Sequence, residues 1–197
     1  MDVRSVIAER NVEAILDASE RLLGRGEQMS FSAVATEAGL SRPTVYAHFE
    51  NREALLMAVV ARTIREAATA VEAASPDQGA PVDALRRVVS ASWEHLARHQ
   101  EVAHGAHGSI SHQAIHGVHH EVQMAIGRLI GRGRAQGVFR SDLPVDWLVT
   151  SCLAVIHAAA AEVWAGRMSS AAALEILCAT VESLCVTPVA AGKRPRR

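Results

Sequence analysis

A chain of 197 residues, 49% of them apolar and 21% charged, can fill one large domain or two small ones around a real core. Its formal charge of −1 excludes a polybasic chain that holds nucleic acid by charge alone, so attraction to phosphate has to be local, from arginines and helix N-termini. Three widely spaced cysteines, an odd number, suit a reduced, cytoplasmic protein better than a disulfide framework.

The opening residues, M-D-V-R-S-V-I-A-E-R, hold no uninterrupted apolar run, and no secretory leader is expected. Residues 1–6 read as a frayed arm. A first helix is predicted over about residues 8–23, with Ile7, Val12, Ile15, Leu16, Ala18, Leu22 and Leu23 on one stripe and Gly24 and Gly26 as its stop. Val34, Ala35 and Ala38 give a short second helix its apolar face, and Ser30 or Ser32 can cap it. Gly39 is placed to end it, because glycine reaches the left-handed conformation without a Cβ clash.

Ser41 reads as the N-cap of a third helix that opens on Arg42 and Pro43, where proline is tolerated because first-turn amides have no intrahelical partner. Val45 and Phe49, one turn apart, face inward. Arg42, Thr44, Ala47 and His48 are left outside, with Tyr46 on the flank. This is the layout of a helix-turn-helix, whose second helix offers polar side chains to a major groove.

Asn51 can cap a fourth helix over about residues 52–74, with Leu55, Leu56, Val59, Val60 and Ile64 inward, and residues 75–81 are a linker by composition. Beyond it the periodicity predicts helices over 82–100, 112–136, 145–167 and 169–186, with a broken glycine- and histidine-rich piece over 101–111. Gly137 ends the second of these, and 138–144 is a returning loop. The run 147–164 is nearly apolar but holds His157 and Glu162, and reads as a buried packing helix rather than a bilayer span. The tail from Gly192 is basic and proline-broken, and reads as disordered.

Val34-Ala35, Ala38-Gly39-Leu40-Ser41, Thr44-Val45-Tyr46, His48-Phe49, Asn51-Arg52-Glu53 and Leu55-Leu56 together resemble the DNA-binding signature of the TetR family of transcriptional regulators. A weaker likeness continues at Gly137, Phe139 and Asp142. The resemblance implies an all-α protein. Residues 1–50 would form a three-helix helix-turn-helix domain, with the fourth helix linking it to an effector-binding and dimerisation domain over 51–190 and a basic tail over 191–197. It implies a ligand-responsive regulator, by family default a repressor, that reads palindromic operator DNA as a homodimer and is released by a small-molecule effector. The last two helices would pair with their copies as a four-helix interface.

The expected DNA contacts are Ser30, Ser32, Ser41, Arg42, Pro43, Thr44, Tyr46, His48 and Arg52. Arg42 carries a planar fork that matches the O6 and N7 edge of guanine, and Pro43 and Thr44 are small enough to approach thymine methyl groups. Tyr46 and His48 resemble the family's phosphate contacts. Arg52 stands where lysine is common, and Ala47 where a larger residue is common. A family-type cavity among the middle helices would draw on Trp93, His116, His120, Met124, Trp147 and His157.

Eight of the ten histidines fall between His95 and His120, and His95/His99 and His112/His116 have the spacing that places imidazoles on one helix face. A metal-responsive regulator built on 95–120 is the alternative reading; solvated or pocket-lining histidines are the plainer one, and neither a metal nor another cofactor is assigned. Cys178 and Cys185, seven apart, share a helix face, but buried cysteines are usually inert. No glycine-rich phosphate loop, serine elbow or metallohydrolase signature appears, so no enzyme is expected. A helical adaptor that binds no DNA stays open on one ground: over residues 1–60 acidic side chains outnumber basic ones.

Overall fold

The computed structural model describes residues 3–102 and 119–186, which contain eight α-helices and one isolated β-bridge. They are α1 (Val3–Gly24), α2 (Phe31–Ala38), α3 (Arg42–His48), α4 (Arg52–Ala73), α5 (Pro81–Arg98), α6 (His120–Ala135), α7 (Val145–Trp164) and α8 (Ser170–Cys185). The all-α expectation holds. The broken piece over 101–111, the start of the helix predicted from 112, and the basic tail lie almost wholly outside the described residues.

The chain divides into two compact units, Met1–Glu66 with Arg98–His120, and Ala67–Ala97 with Glu121–Arg197. The boundary expected near residue 50 is therefore displaced. Leu55, Leu56, Val59 and Val60 of α4, and Val102, are buried in one core with Ile15, Leu16, Leu22, Val34 and Val45, so the first unit keeps most of α4 and takes in a later segment. Burying such side chains is the main favourable term in folding, about 1.5–3 kcal/mol for each large aliphatic group.

Within the first unit α1 begins at Val3, earlier than predicted, and there is no frayed arm over its opening turn. The run V-R-S-V-I-A-E-R contains no helix breaker, and Ser5 Oγ donates to Glu9 Oε1 at 3.2 Å, one turn on. Ile7 is not part of the buried stripe: it is 52% exposed, and the buried residues of α1 start at Ile15. Arg62 of α4 fastens the middle of this helix. Its guanidinium donates to Glu20 at 3.1 Å, Asp17 at 2.7 Å and Glu13 at 3.2 Å, three acids on one face of α1.

The second unit packs the end of α4 with α5 to α8 around Leu85, Val88, Trp93, Ile126, Leu129, Ile130, Leu148, Ile156, Leu177 and Val181. The stretch predicted as a linker is a fixed loop. Arg87 donates to the carbonyls of Ala74, Ser75 and Gln78, and Arg132 to those of Pro76 and Gly79. Helix α7 is long and apolar enough to cross a bilayer by composition. It is buried on one face, through Leu148, Val149, Cys152, Ile156, Ala159 and Ala160, and it packs on α8. Its open side carries Ala154, Ala158 and Ala161 beside Trp147, Thr150 and His157, which is why the run looked nearly apolar.

At the end of α6, Gly137 takes φ 69° and turns the chain back. Phe139 then lies against α6 and is 2% exposed, with a bridge to Val186 beyond α8. This seat exists because Gly133 has no side chain: a Cβ there would stand 2.1 Å from Phe139 Cδ2. Gly133→Ala is expected to lower the unfolding free energy by about 1–3 kcal/mol, as overpacking does. Gly131→Ala, where open space surrounds the added Cβ, should hold or raise it. Urea titration of the two variants checks the contrast.

Candidate nucleic-acid interface

The helix-turn-helix is built from caps and one anchor. Ser30 is extended, and its Oγ accepts from Ala33 N at 3.2 Å to start α2. Gly39 takes φ 67°, which lets Leu40 N donate back to Ala35 O at 2.9 Å and ends the helix. Two residues on, Ser41 caps α3: its Oγ accepts from Thr44 N at 3.2 Å, with Pro43 in the first turn. Val45 is fully buried and Phe49 is 9% exposed, so the inner face of α3 is the one expected. Asn51 Oδ1 accepts from Ala54 N at 2.8 Å and starts α4.

The outer face carries the expected contact set. Arg42 and Pro43 are exposed at the helix start, and Arg42 has no hydrogen bond or ion pair among the described residues. Tyr46 is 53% exposed, and its ring meets Phe31 edge-on with centroids 4.7 Å apart. That contact fixes the ring while leaving the phenol outward. Ser32 is exposed and His48 half-buried. Three of the expected residues are partly occupied. Thr44 Oγ1 stands 2.7 Å from Ser41 Oγ, and Arg52 Nε donates to Met29 O at 3.0 Å. The outer nitrogens of the Arg52 fork make no hydrogen bond among the described residues. Ser30 accepts its cap bond through oxygen, so its hydroxyl hydrogen can still donate outward.

Spacing gave no sign of the Phe31–Tyr46 and Met29–Arg52 contacts, which join residues far apart in sequence. The pairing of the other arginines was equally hidden. Arg21 Nε donates to Glu37 Oε1 at 2.7 Å and Arg25 Nη2 to Glu37 Oε2 at 2.8 Å, tying the end of α1 to α2. The hydrogen bonds from Arg25 and then Arg21 lower the Glu37 carboxyl to about 2.

The described residues expected around an effector cavity differ in their burial. Trp93 is 3% exposed, and its Nε1 donates to the carbonyl and hydroxyl oxygens of Ser170, both at 3.2 Å, as a core tryptophan does. Met124 and Trp147 are 51% and 59% exposed, and His120 and His157 also face outward. His116 lies outside the described residues, as do His104, His107 and His112. His99 is described, and its Nε2 lies 3.6 Å from the Glu66 carboxylate.

A capped, surface-mounted second helix of a helix-turn-helix, followed by a separate helical core, defines a DNA-binding regulator. Residues 15–59 match the model of bacterial regulatory proteins of the tetR family, and residues 81–175 match a tetracyclin repressor-like C-terminal domain. The chain belongs to the TetR family. It is 37% identical over 93 residues to the HTH-type transcriptional repressor LfrR of Mycolicibacterium smegmatis, a match covering 47% of this chain and 49% of that one. The sequence match thus spans about half the length of this curated relative. Among solved structures, FadR of Bacillus subtilis in complex with stearoyl-CoA superposes with a TM-score of 0.73 at 19% identity, covering 90% of this chain and 98% of that one. LfrR from Mycobacterium smegmatis in complex with proflavine gives 0.66 at 22%, with the same coverage.

Because the Glu37 carboxyl is lowered from 4.5 to about 2, the stability it contributes is present above pH 4.5 and is lost as pH falls through 2. Melting temperatures of the native chain and Glu37→Gln are therefore expected to differ at neutral pH. The gap should narrow steadily between about pH 4.5 and pH 2.

Proposed function

We propose that the protein is a ligand-released transcriptional repressor that binds a palindromic operator as a homodimer in the cytoplasm. The observation that carries the DNA reading is Arg42, exposed and unpartnered at the start of α3. Arg42 reads one guanine through a bidentate contact. Tyr46, His48, Arg52 and the serine hydroxyls of Ser30, Ser32 and Ser41 hold phosphates and set the register. Pro43 and Thr44 pack toward thymine methyl groups.

The dimer reading rests on the unpartnered sides of α7 and α8. Trp147, Ala154, Ala158 and Ala161 follow one another at helical spacing along α7 and are exposed, as are Ile176 and Ala179 on α8. Small side chains let helix axes approach closely, and Trp147 and Ile176 add large apolar area to the face. Trp147 and His157, expected around a cavity, are better placed here.

Effector release is supported by the C-terminal match to a tetracyclin repressor-like domain and by bound small molecules in the LfrR and FadR neighbours. An effector acts by binding better to a conformation in which the two recognition helices no longer fit the half-site spacing, about one helical turn of DNA. No catalytic step is assigned, and the family match favours this reading over a histidine-based metal sensor or an adaptor.

Arg42→Ala is expected to weaken binding to the operator by about 1–3 kcal/mol, roughly 5- to 150-fold in Kd, and to relax preference at one base pair. Gel shifts on the DNA upstream of its own coding region and on single-base variants of that site check it; an equal loss on every sequence would make Arg42 a phosphate contact. Ala158→Arg, placing a charge in the middle of the α7 face, should convert dimer to monomer in sedimentation runs. Loss of operator binding should follow.

A further inference from the structure

Cys152 and Cys185 come together in the second unit although they are 33 residues apart, and their Sγ atoms stand 3.8 Å from one another. Cys152 projects from the middle of α7, and Cys185 is the last residue of α8. Both are buried, at 2% and 0% exposure, and both are free thiols. We propose that this pair is an oxidation site: a dithiol that hydrogen peroxide, a small neutral oxidant able to enter a buried site, closes to a disulfide.

Geometry singles out the pair. A disulfide has an S–S length of about 2.05 Å, so the 3.8 Å contact must close by roughly 1.8 Å, within reach of side-chain adjustment. Cys178 is excluded as a partner of Cys185. Seven residues along a helix separate backbone positions by about 10.5 Å, beyond the reach of roughly 7 Å between bridged Cα atoms.

The chemistry has a direction. The hydrogen bond from Cys152 and the charges of Arg134 and Arg140 hold the Cys185 thiol below its ordinary value against the opposing effect of burial. The same contact and burial push the Cys152 thiol up. Arg134 and Arg140 are held in place: Arg134 donates to the carbonyls of Arg140 and Leu143, Arg140 N donates to Cys185 O at 2.8 Å, and the Arg140 guanidinium is paired with Asp142. Cys185, as thiolate, gives an electron pair to one peroxide oxygen. The O–O bond breaks, and the departing hydroxide takes up the proton that Cys185 had released, leaving as water. The Cys152 sulfur then attacks the resulting sulfenic sulfur. The S–S bond forms and the S–O bond breaks, and the second hydroxide leaves as water with the Cys152 proton. In sum, two thiols and one peroxide give one disulfide and two waters.

Closing this bond would fasten the end of α8, and through the Arg140–Cys185 hydrogen bond the loop after α6, to the middle of α7. The inference is independent of DNA binding. The full-length protein is exposed to hydrogen peroxide at neutral pH, quenched in acid, unfolded and alkylated, and then weighed intact and as peptides. The expected result is a mass lower by two hydrogens before alkylation, Cys178 alone alkylated, and a Cys152–Cys185 cross-linked peptide that dithiothreitol separates. Cys178→Ser should behave the same way, and Cys185→Ala should give no cross-link. Three alkylated thiols after exposure, a cross-link that includes Cys178, or oxidation of Cys152 or Cys185 only to sulfinic or sulfonic acid would overturn the proposal.

Discussion

The structure turns on how a helix of seven residues is held in place. In water a helix shorter than about 12–15 residues is marginal by itself, so α3 owes its existence to what it is packed on and how its ends are tied. Val45, with no exposed surface, is its anchor, while Ser41 closes one end and Phe49 N donates to Val45 O at the other. One anchor is enough to set rotation. Successive residues turn by about 100°, so burying Val45 sends Tyr46 to another side of the helix, and a slip of one residue would turn Thr44 or Tyr46 toward the core instead.

Charge is distributed with the same economy. The acidic surplus of residues 1–60 opposes DNA binding on charge alone, yet much of it is paired with arginines. Glu37 takes Arg21 and Arg25, and Arg62 takes Glu13, Asp17 and Glu20. These groups hold opposite charges close together, and because exposed charges are screened within about 8–10 Å at ordinary salt, the charge left over acts only at short range. What stands out on the helix-turn-helix is the unpaired Arg42. A protein built this way depends on a few well-placed contacts rather than on a basic surface, which favours sequence discrimination over general adhesion to phosphate.

The helix-turn-helix was legible because its signals are local. Ser41, Pro43, Gly39 and Asn51 act on backbone groups within a few residues, and the caps and turn appear where those residues predict them. Pairings across the chain were not legible. Arg62 could have faced water, and nothing in its neighbours points to three acids of α1, which lie more than 40 residues away. Alanine caused the other errors. On α7 it occupies both the packed and the open face, so periodicity could not say which side was covered. Ile7 failed for the opposite reason: it keeps the helical spacing of the core stripe but sits in the exposed opening turns of α1, ahead of the first buried residue.

The two cores also bear on how an effector reaches DNA. Helix α4 contributes Leu55, Leu56, Val59 and Val60 to the first core and Ala68 and Val71 to the second. Tightly packed side chains do not deform continuously; they move between discrete arrangements, so a change in the second core that shifts Ala68 and Val71 acts on a helix whose other end is fixed in the first. The coupling is bounded by thermodynamics, whatever the path. If an effector lowers operator affinity by some factor, the operator lowers effector affinity by the same factor, and such couplings are typically about 1–3 kcal/mol. Release therefore requires only that one ligand prefer a slightly different packing of the second core. Neither core has to unfold.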